Sequence, residues 1–555
     1  VTADLDRVSM DGLTRALAGY PAVTGLLKKG SVDLSFAHGS GLAMLSSLGG
    51  SVKASMEKGS LNLDKNASAL PYAALTISAQ ASAQPGRDLK KMPPAMDFRG
   101  NWKIDMSARG WSASAEAKQA TLSFSTKNGL PTAMRGQPVS LQVSLNKELC
   151  DLLAEDMKFS VSGKGSFNTE SRTVSMAEAA LRHRDFTLTG SLTATDVPGK
   201  LSVAGKMNLS APSFRTFAAL FGASLPATAG KSTFQKAQVE ASVTVTAQQL
   251  SLDKLNGKID DTSFSGSLHQ SLSGRATLTG NLHMPSLDID RYRSTEGSTS
   301  SAATPLPLDF LKNTDLSLSL SAGRLRAFST TLAEVSMPVS QKNGTLSAPF
   351  KASFPGGGQA EGSFHAARAA DLSLTTRCRN MNMMNFSRDR GQKTLIGGTG
   401  TFDANLQSRQ KNWGDWKHAL NGKLSLLVSN GAIITPASRG ETTRKESRTE
   451  FRTMSMNIAL SNGTATCRDF LVKGSPVTIT GGGTANLAAE TINAEATVTL
   501  AGIPEMPLSI TGNLFSPKIT YKLLGAVTGT VGNLGSGVID LVGGVLSAPF
   551  KLFMK

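Results

Sequence analysis

At 555 residues the chain is several times longer than one hydrophobic core usually organises, so it has ample apolar surface to bury and is either multidomain or an elongated repeat. Aromatic residues make up 6% and charged residues 18%, while Gly, Ser, Thr and Ala recur in short alternating stretches; this argues against large helical domains and favours many strands joined by tight turns. The formal charge of +17 is scattered rather than clustered with aromatics, which argues against nucleic acid and leaves plain solubility or a surface facing anionic lipid.

The chain opens on Val1 rather than Met, from which we expect that an N-terminal targeting or anchoring segment has been removed or left out. A short helix is expected near Asp11, carrying Leu13, Leu17 and Tyr20. Leu48-Gly49-Gly50-Ser51-Val52, followed by Gly59 and Leu61, has two counterparts with the same spacing: Leu255-Asn256-Gly257-Lys258-Ile259 with Gly266 and Leu268, and Leu420-Asn421-Gly422-Lys423-Leu424 with Gly431 and Ile433. Three copies suggest a repeated strand-turn unit, although any hairpin can show such glycines. Residues 78–100 read as a linker.

Period-two alternation dominates from there on, as in Val139, Leu141, Val143 and Leu145, and in Val239, Ala241, Val243 and Val245. Successive strand residues point to opposite faces, so each run has one apolar and one polar face. Ser213 to Phe221, bounded by a polar cap and Gly222, predicts a short helix packed on the sheet end. Asp288 and Asp290 are expected on one face of a strand, where paired carboxylates could serve acid–base chemistry or bind calcium; a structural role near Arg291 is the preferred reading. Residues 293–305 form a second linker.

Beyond it the alternation resumes in Leu316, Leu318 and Leu320, in Leu424, Leu426 and Val428, and in Ile492, Ala494, Ala496, Val498 and Leu500. Gly356 to Gly358 and Gly481 to Gly483 lack the strand-to-helix setting that cradles phosphate, and read as turns or bulges. The polar stretch Arg439, Glu441, Arg444, Lys445, Glu446, Arg448, Glu450 reads as a solvated loop or exposed helix, with a lipid-headgroup or protein-docking site as the alternative. Residues 523–555 form an apolar, glycine-containing tail, expected to be helical. It either covers the open end of a sheet or meets a membrane or partner through Leu541, Val545, Phe550 and Phe553. No run of roughly 18 apolar residues occurs in the sequence.

Chemistry is hard to find. Cys150, Cys378 and Cys467 lie far apart, and the six histidines (His38, His183, His269, His283, His365, His418) form no metal-binding pattern. There is no nucleophile elbow and no phosphate-binding P-loop. We therefore expect no catalytic residue, no cofactor and no metal, and a protein that is not an enzyme.

From about residue 183 onward, the order of short motifs resembles the AsmA family. The resemblance rests on Phe221-Gly222-Ala223-Ser224-Leu225-Pro226, Leu287-Asp288-Ile289-Asp290-Arg291-Tyr292, Leu306-Pro307-Leu308-Asp309-Phe310-Leu311, Asn343-Gly344-Thr345-Leu346 and Gly356 to Gly362. It continues through Leu420-Asn421-Gly422, Ser429 to Ile433, Ser461-Asn462-Gly463, Gly481 to Gly483, Pro507 to Leu514 and Ser516-Pro517. Residues 1–182 are similar only in style. The resemblance implies a periplasmic protein anchored to the inner membrane of a Gram-negative bacterium by an N-terminal helix not present in this chain. It further implies traffic of phospholipids or other acyl lipids toward the outer membrane, with an outer-membrane partner at the C-terminal end and no nucleic acid.

The expected fold is mostly β: an elongated, curled antiparallel sheet forming an open apolar groove, with a few short helices. Some thirty strands about 4.8 Å apart would make a trough on the order of 140 Å long. The expected parts are 1–95, an N-terminal groove segment; 96–292, a central region with the helix near 213–221; 306–522, a C-terminal β region; and the 523–555 tail. Expected lining residues are Leu316, Leu318, Leu320, Leu424, Leu426, Val428, Ile492, Ala494, Val498, Leu500 and Ile510. Two rival functions share these strands: an assembly factor for outer-membrane proteins working through exposed strand edges, and a secreted structural or adhesive β-solenoid. Four Trp and four Tyr cannot furnish the aromatic girdles of a porin-like barrel.

Overall fold

The computed structural model describes residues 2–11, 15, 23–35, 47–61, 70–83, 95–108, 111–125, 131–135, 138–145, 157–168, 171–196, 202–220, 225, 228, 233–292, 314–367, 371–389, 395–410, 417–435, 447–475, 477–500, 503–514 and 516–521. The helix expected near Asp11, the 293–305 linker, Leu306 to Leu311, Cys150, most of the 439–450 polar stretch and the tail with Leu541, Val545, Phe550 and Phe553 lie wholly or largely outside these residues. Two compact units emerge, Val1–Pro226 with Ser232–Gly274, and Ala227–Lys231 with Arg275–Lys555.

The first unit is an up-and-down antiparallel sheet. Neighbouring strands in the sequence pair in turn from Leu26–Ser35 to Thr262–Ser271, except that Pro131–Arg135 and Pro138–Leu145 share one place in the order, each pairing with Trp111–Ser125 on one side and Met157–Asn168 on the other. Both ends of the expected 78–100 linker belong to strands, which pair Gln80 with Asn101 and Ala83 with Phe98. Helix α1 (Phe214–Leu220) lies where the sequence placed it, and the Thr216 amide donates to the Ser213 hydroxyl cap at 3.2 Å. It buries Ala218 and Leu220 and sets Phe217 edge-on against Phe186 with ring centroids 5.4 Å apart.

The second unit repeats this plan with one difference. Ala276–Asp288 pairs with Thr314–Ala327 in parallel, whereas every later pairing is antiparallel. A parallel neighbour requires a long connection, and its described part is the 3-10 turn Ile289–Tyr292. Asn343-Gly344 and Asn462-Gly463 are two-residue hairpin loops with both φ angles positive, between the partners Lys342 and Thr345 and the partners Ser461 and Thr464.

Asp290 corrects one sequence expectation. It belongs to a 3-10 turn, Ile289–Tyr292, and not to the strand that holds Asp288. Its carboxylate accepts the backbone amides of Phe328 and Ser329 at 2.6 and 2.7 Å. Those two residues, with φ of 51° and 59°, make a tight turn without glycine, which costs about 1–2 kcal/mol per residue and needs such support.

The sheets curl because the ladders are punctuated by β-bulges. Register shifts occur at Met176/Ala179, Leu252/Leu255, Ala333/Ser336 and Cys378/Met381. The extra residues Glu178, Lys254, Glu334 and Asn380 all have φ near 50°. Each bulge raises the local twist and exchanges which parity of side chains faces inward. The three glycine-bounded segments are not equivalent repeats: Gly50 and Gly59 share one strand, as do Gly422 and Gly431, but Gly257 and Gly266 sit on adjacent strands across the turn at Asp260. Gly356 to Gly358 form a turn, and Gly481 to Gly483 lie in a strand opposite the bulge at Cys467/Phe470.

The main core belongs to the second unit. It runs from Ala322 to Leu514, and Val428, Met454, Ile479, Val498 and Ile510 are 0% exposed. Helix α2 (Met383–Asp389) closes one end of the surrounding strands with Met383, Phe386 and Ser387.

Candidate functional site

In-register antiparallel strands place side chains of one face in rows that run across the strands. Gly400, Val428, Met454, Val472, Ile479, Val498 and Met506 are consecutive partners on seven strands, so this row is about 29 Å long at the usual strand spacing. Ala404, Leu424, Ile458, Cys467, Gly483, Ala494, Ile510 and Ile519 make a second row beside it. The structure thus brings Leu424, Leu426, Val428, Ile492, Ala494, Val498 and Ile510 onto one buried face. Leu500 pairs with Val477 and Ile503, and its side chain lies outside the described atoms.

Leu316, Leu318 and Leu320 are half-buried. They stand beside Leu278, Gly280 and Leu282 of the parallel partner, with Gln341, Val339 and Met337 on the other side. Rows of the same kind cross the first unit. Leu192, Gly205, Val243, Leu252 and Leu268 form one, and Leu188, Leu209, Val239, Gly257 and Phe264 another. These members are all half-buried, so water reaches them where it does not reach Val428 or Val498. Glycine in the second row has a packing reason, because any side chain at Gly257 would collide with the Phe264 ring.

The opposite face of the second unit is polar and locally concave. A cleft of about 1520 Å³ spans strands from Thr330–Lys342 to Thr464–Lys473. Arg377 and Asp403 line it; Arg377 Nε donates to Asp403 Oδ1 at 2.9 Å, and Arg379 Nη1 donates to Asp403 Oδ2 at 2.8 Å. Desolvation alone would push the Asp403 carboxyl up, but the hydrogen bonds from Arg379 and Arg377 outweigh it and hold the group below the usual carboxylate range. Asp403 in turn raises the Arg377 guanidinium, chiefly by accepting its hydrogen bond. Burial pushes the Cys378 thiol up to about 11 and raises that of Cys467, so neither is a ready thiolate at neutral pH. Among the described residues no group of three or more His, Cys, Asp or Glu is placed to hold a metal ion, and no helix is long and apolar enough to cross a membrane.

The profile of the AsmA family matches residues 165–470, more than half of the chain, and covers strands of both units. The chain belongs to the AsmA family. No curated protein and no solved structure matches it. The AsmA match begins before the motifs around residue 183, in the strand Met157–Asn168, and ends at Phe470. The motifs at Gly481 to Gly483, Pro507 to Leu514 and Ser516-Pro517 fall beyond it, although their strands continue the same rows.

Sequence reading missed Met454, Ile458, Val472 and Ile479 as members of the rows, and Met456, which lies between the rows opposite Leu426. The alternation Met454, Met456, Ile458, Leu460 was present as a signal, and these residues pair in register with Val428, Leu426, Leu424 and Gly422; the shift at Ser455/Ile458 affects only the pairing with Thr464–Lys473. It also missed α2, which Asn382 caps by accepting the Asn385 amide at 3.1 Å.

Proposed function

We propose that this AsmA-family chain is a non-catalytic protein of the bacterial envelope that shields the acyl chains of phospholipids or related lipids along its apolar face. Continuous in-register rows of aliphatic side chains carry the reading. A chain lying across the strands meets Leu192, Val243 and Leu252 in succession, with no polar side chain in the row. Each methylene removed from water gains roughly 0.8 kcal/mol, so an acyl chain crossing water unshielded costs on the order of ten kcal/mol, and an even floor removes that barrier. The half-buried rows of the first unit are the accessible part of such a floor, and Leu316, Leu318 and Leu320 are half-buried in the second unit taken by itself. Anchoring to the inner membrane and a partner at the outer membrane belong to the same proposal.

The test is photocrosslinking. A photoreactive amino acid at Leu192, Val243 or Leu252 is expected to capture acyl lipid in cells, whereas the outward positions Thr193 and Glu240 capture none. Equal capture on both faces, or none at all, would sink the proposal.

A further inference from the structure

The end of the second unit that carries α2 holds a second cleft, of about 860 Å³. It lies where Asp371–Asn382 ends, Thr399–Arg409 begins, Ser447–Ser461 begins and Thr464–Lys473 ends. Its charged residues are Arg448, Arg452, Lys473 and Glu450. Glu450 is engaged by Arg448 at 3.4 Å, whereas Arg452 and Lys473 are exposed and make no hydrogen bond or ion pair among the described residues. The hairpin register, which pairs Thr453 with Lys473, runs the two backbones side by side, and both Arg452 and Lys473 line the cleft. Among the described residues a net charge of plus two therefore faces one concavity, and two of its cations have no partner there.

A few apolar side chains line the cleft among glycines and polar residues. Phe451, 4% exposed, lines this cleft and belongs to the main core, and Ile434 and Met384 stand with it. Cationic side chains in a mostly polar cleft suit a phosphate group. Arg recognises phosphate through its planar fork, and Lys adds a point charge.

We propose that this cleft binds the phosphate of an anionic or glycerophosphate headgroup through Arg452 and Lys473. The proposal rests on the acyl-chain reading only for the source of the phosphate; the shared chemistry is a phosphate ester, and free phosphate compounds are the other source.

The experiment uses the full chain, with vesicles of phosphatidylcholine alone and of equal parts phosphatidylcholine and phosphatidylglycerol. The charge-reversed double variant Arg452→Glu, Lys473→Glu is compared with Lys342→Glu, Lys518→Glu, which makes the same charge change at exposed positions of the same unit. We expect the first pair to weaken binding to the anionic vesicles by about tenfold and the second pair to leave it near wild type. Glycerol 3-phosphate is expected to compete for the wild type; competition by inorganic phosphate to the same degree supports the site and assigns free phosphate as its ligand. Equal losses in both double variants, or no competition by either compound, would overturn the proposal in favour of diffuse charge attraction. Native mass spectrometry of bound acyl lipid is read separately. Wild-type protein without acyl lipid but with a competable site defeats the acyl-chain reading alone, and bound lipid that is indifferent to Arg452 and Lys473 defeats the site alone. Thermal unfolding of each variant confirms that both exposed pairs leave the fold intact.

Discussion

Replacing Ile479 with Ala separates a sealed apolar interior from an open one. Ile479 is 0% exposed and sits between Val472 and Val498 in its row. Truncation removes three carbons, about 2.4 kcal/mol at roughly 0.8 kcal/mol each, and unfilled space adds on the order of 1 kcal/mol more, within the ~2–5 kcal/mol range for such changes. Val243→Ala in the half-buried row of the first unit removes two carbons that water already reaches, so about 0.8 kcal/mol is expected, with no cavity contribution. Two units make a single unfolding midpoint ill-defined, so the assay is hydrogen exchange followed by mass spectrometry, comparing peptides across 477–500 with peptides across 237–259. If Ile479→Ala lowers local protection no more than Val243→Ala does, the interior of the second unit is not packed, and the contrast between sealed and accessible rows fails.

Three further predictions concern individual groups. Asp290→Ala strands the amides of Phe328 and Ser329 in a turn that already holds two positive φ angles, and should cost about 1–3 kcal/mol, with fast exchange at those amides; Asp290→Asn, which keeps an acceptor, should lose less, and unchanged exchange in the Ala variant would refute the role. Because the Asp403 carboxyl is held below its ordinary value of 3.8, the stability it adds is complete above that pH and disappears as pH falls through the lower folded value; an acid titration of local exchange should show this loss in wild type and not in Asp403→Asn, and identical profiles would contradict it. Cys378, buried and with its thiol pushed up to about 11, should resist iodoacetamide at pH 8 in the native protein and react after unfolding, so stoichiometric native labelling would count against its placement.

Much of the fold was legible because its signals are local. Alternation in Leu424, Leu426 and Val428 and in Ile492, Ala494 and Val498 identified the inward face of each strand, and the Ser213 cap with its phenylalanines identified α1. Asn343-Gly344 and Asn462-Gly463, quoted from the sequence as motifs of the family resemblance, are hairpin turns in the structure. Bulges were the weak point: one extra residue such as Lys254 moves the inward set from Leu250 and Leu252 to Leu255 and Gly257, and no composition signal announces it. The cleft with Arg452 and Lys473 was equally hidden, since the two residues are separated by a whole hairpin and meet only through its register.

The sequence by itself determined that this chain forms sheets with one apolar and one polar face, because side-chain direction along a strand has a period of two and is set within a few residues. Only the tertiary structure decided which rows those faces join and how far they close: sealed at Val428, Ile479 and Val498, half open at Leu192, Val243 and Leu252. The physical reason is that rows and closure depend on register and accumulated twist across many strands, and a single bulge alters both for every strand that follows.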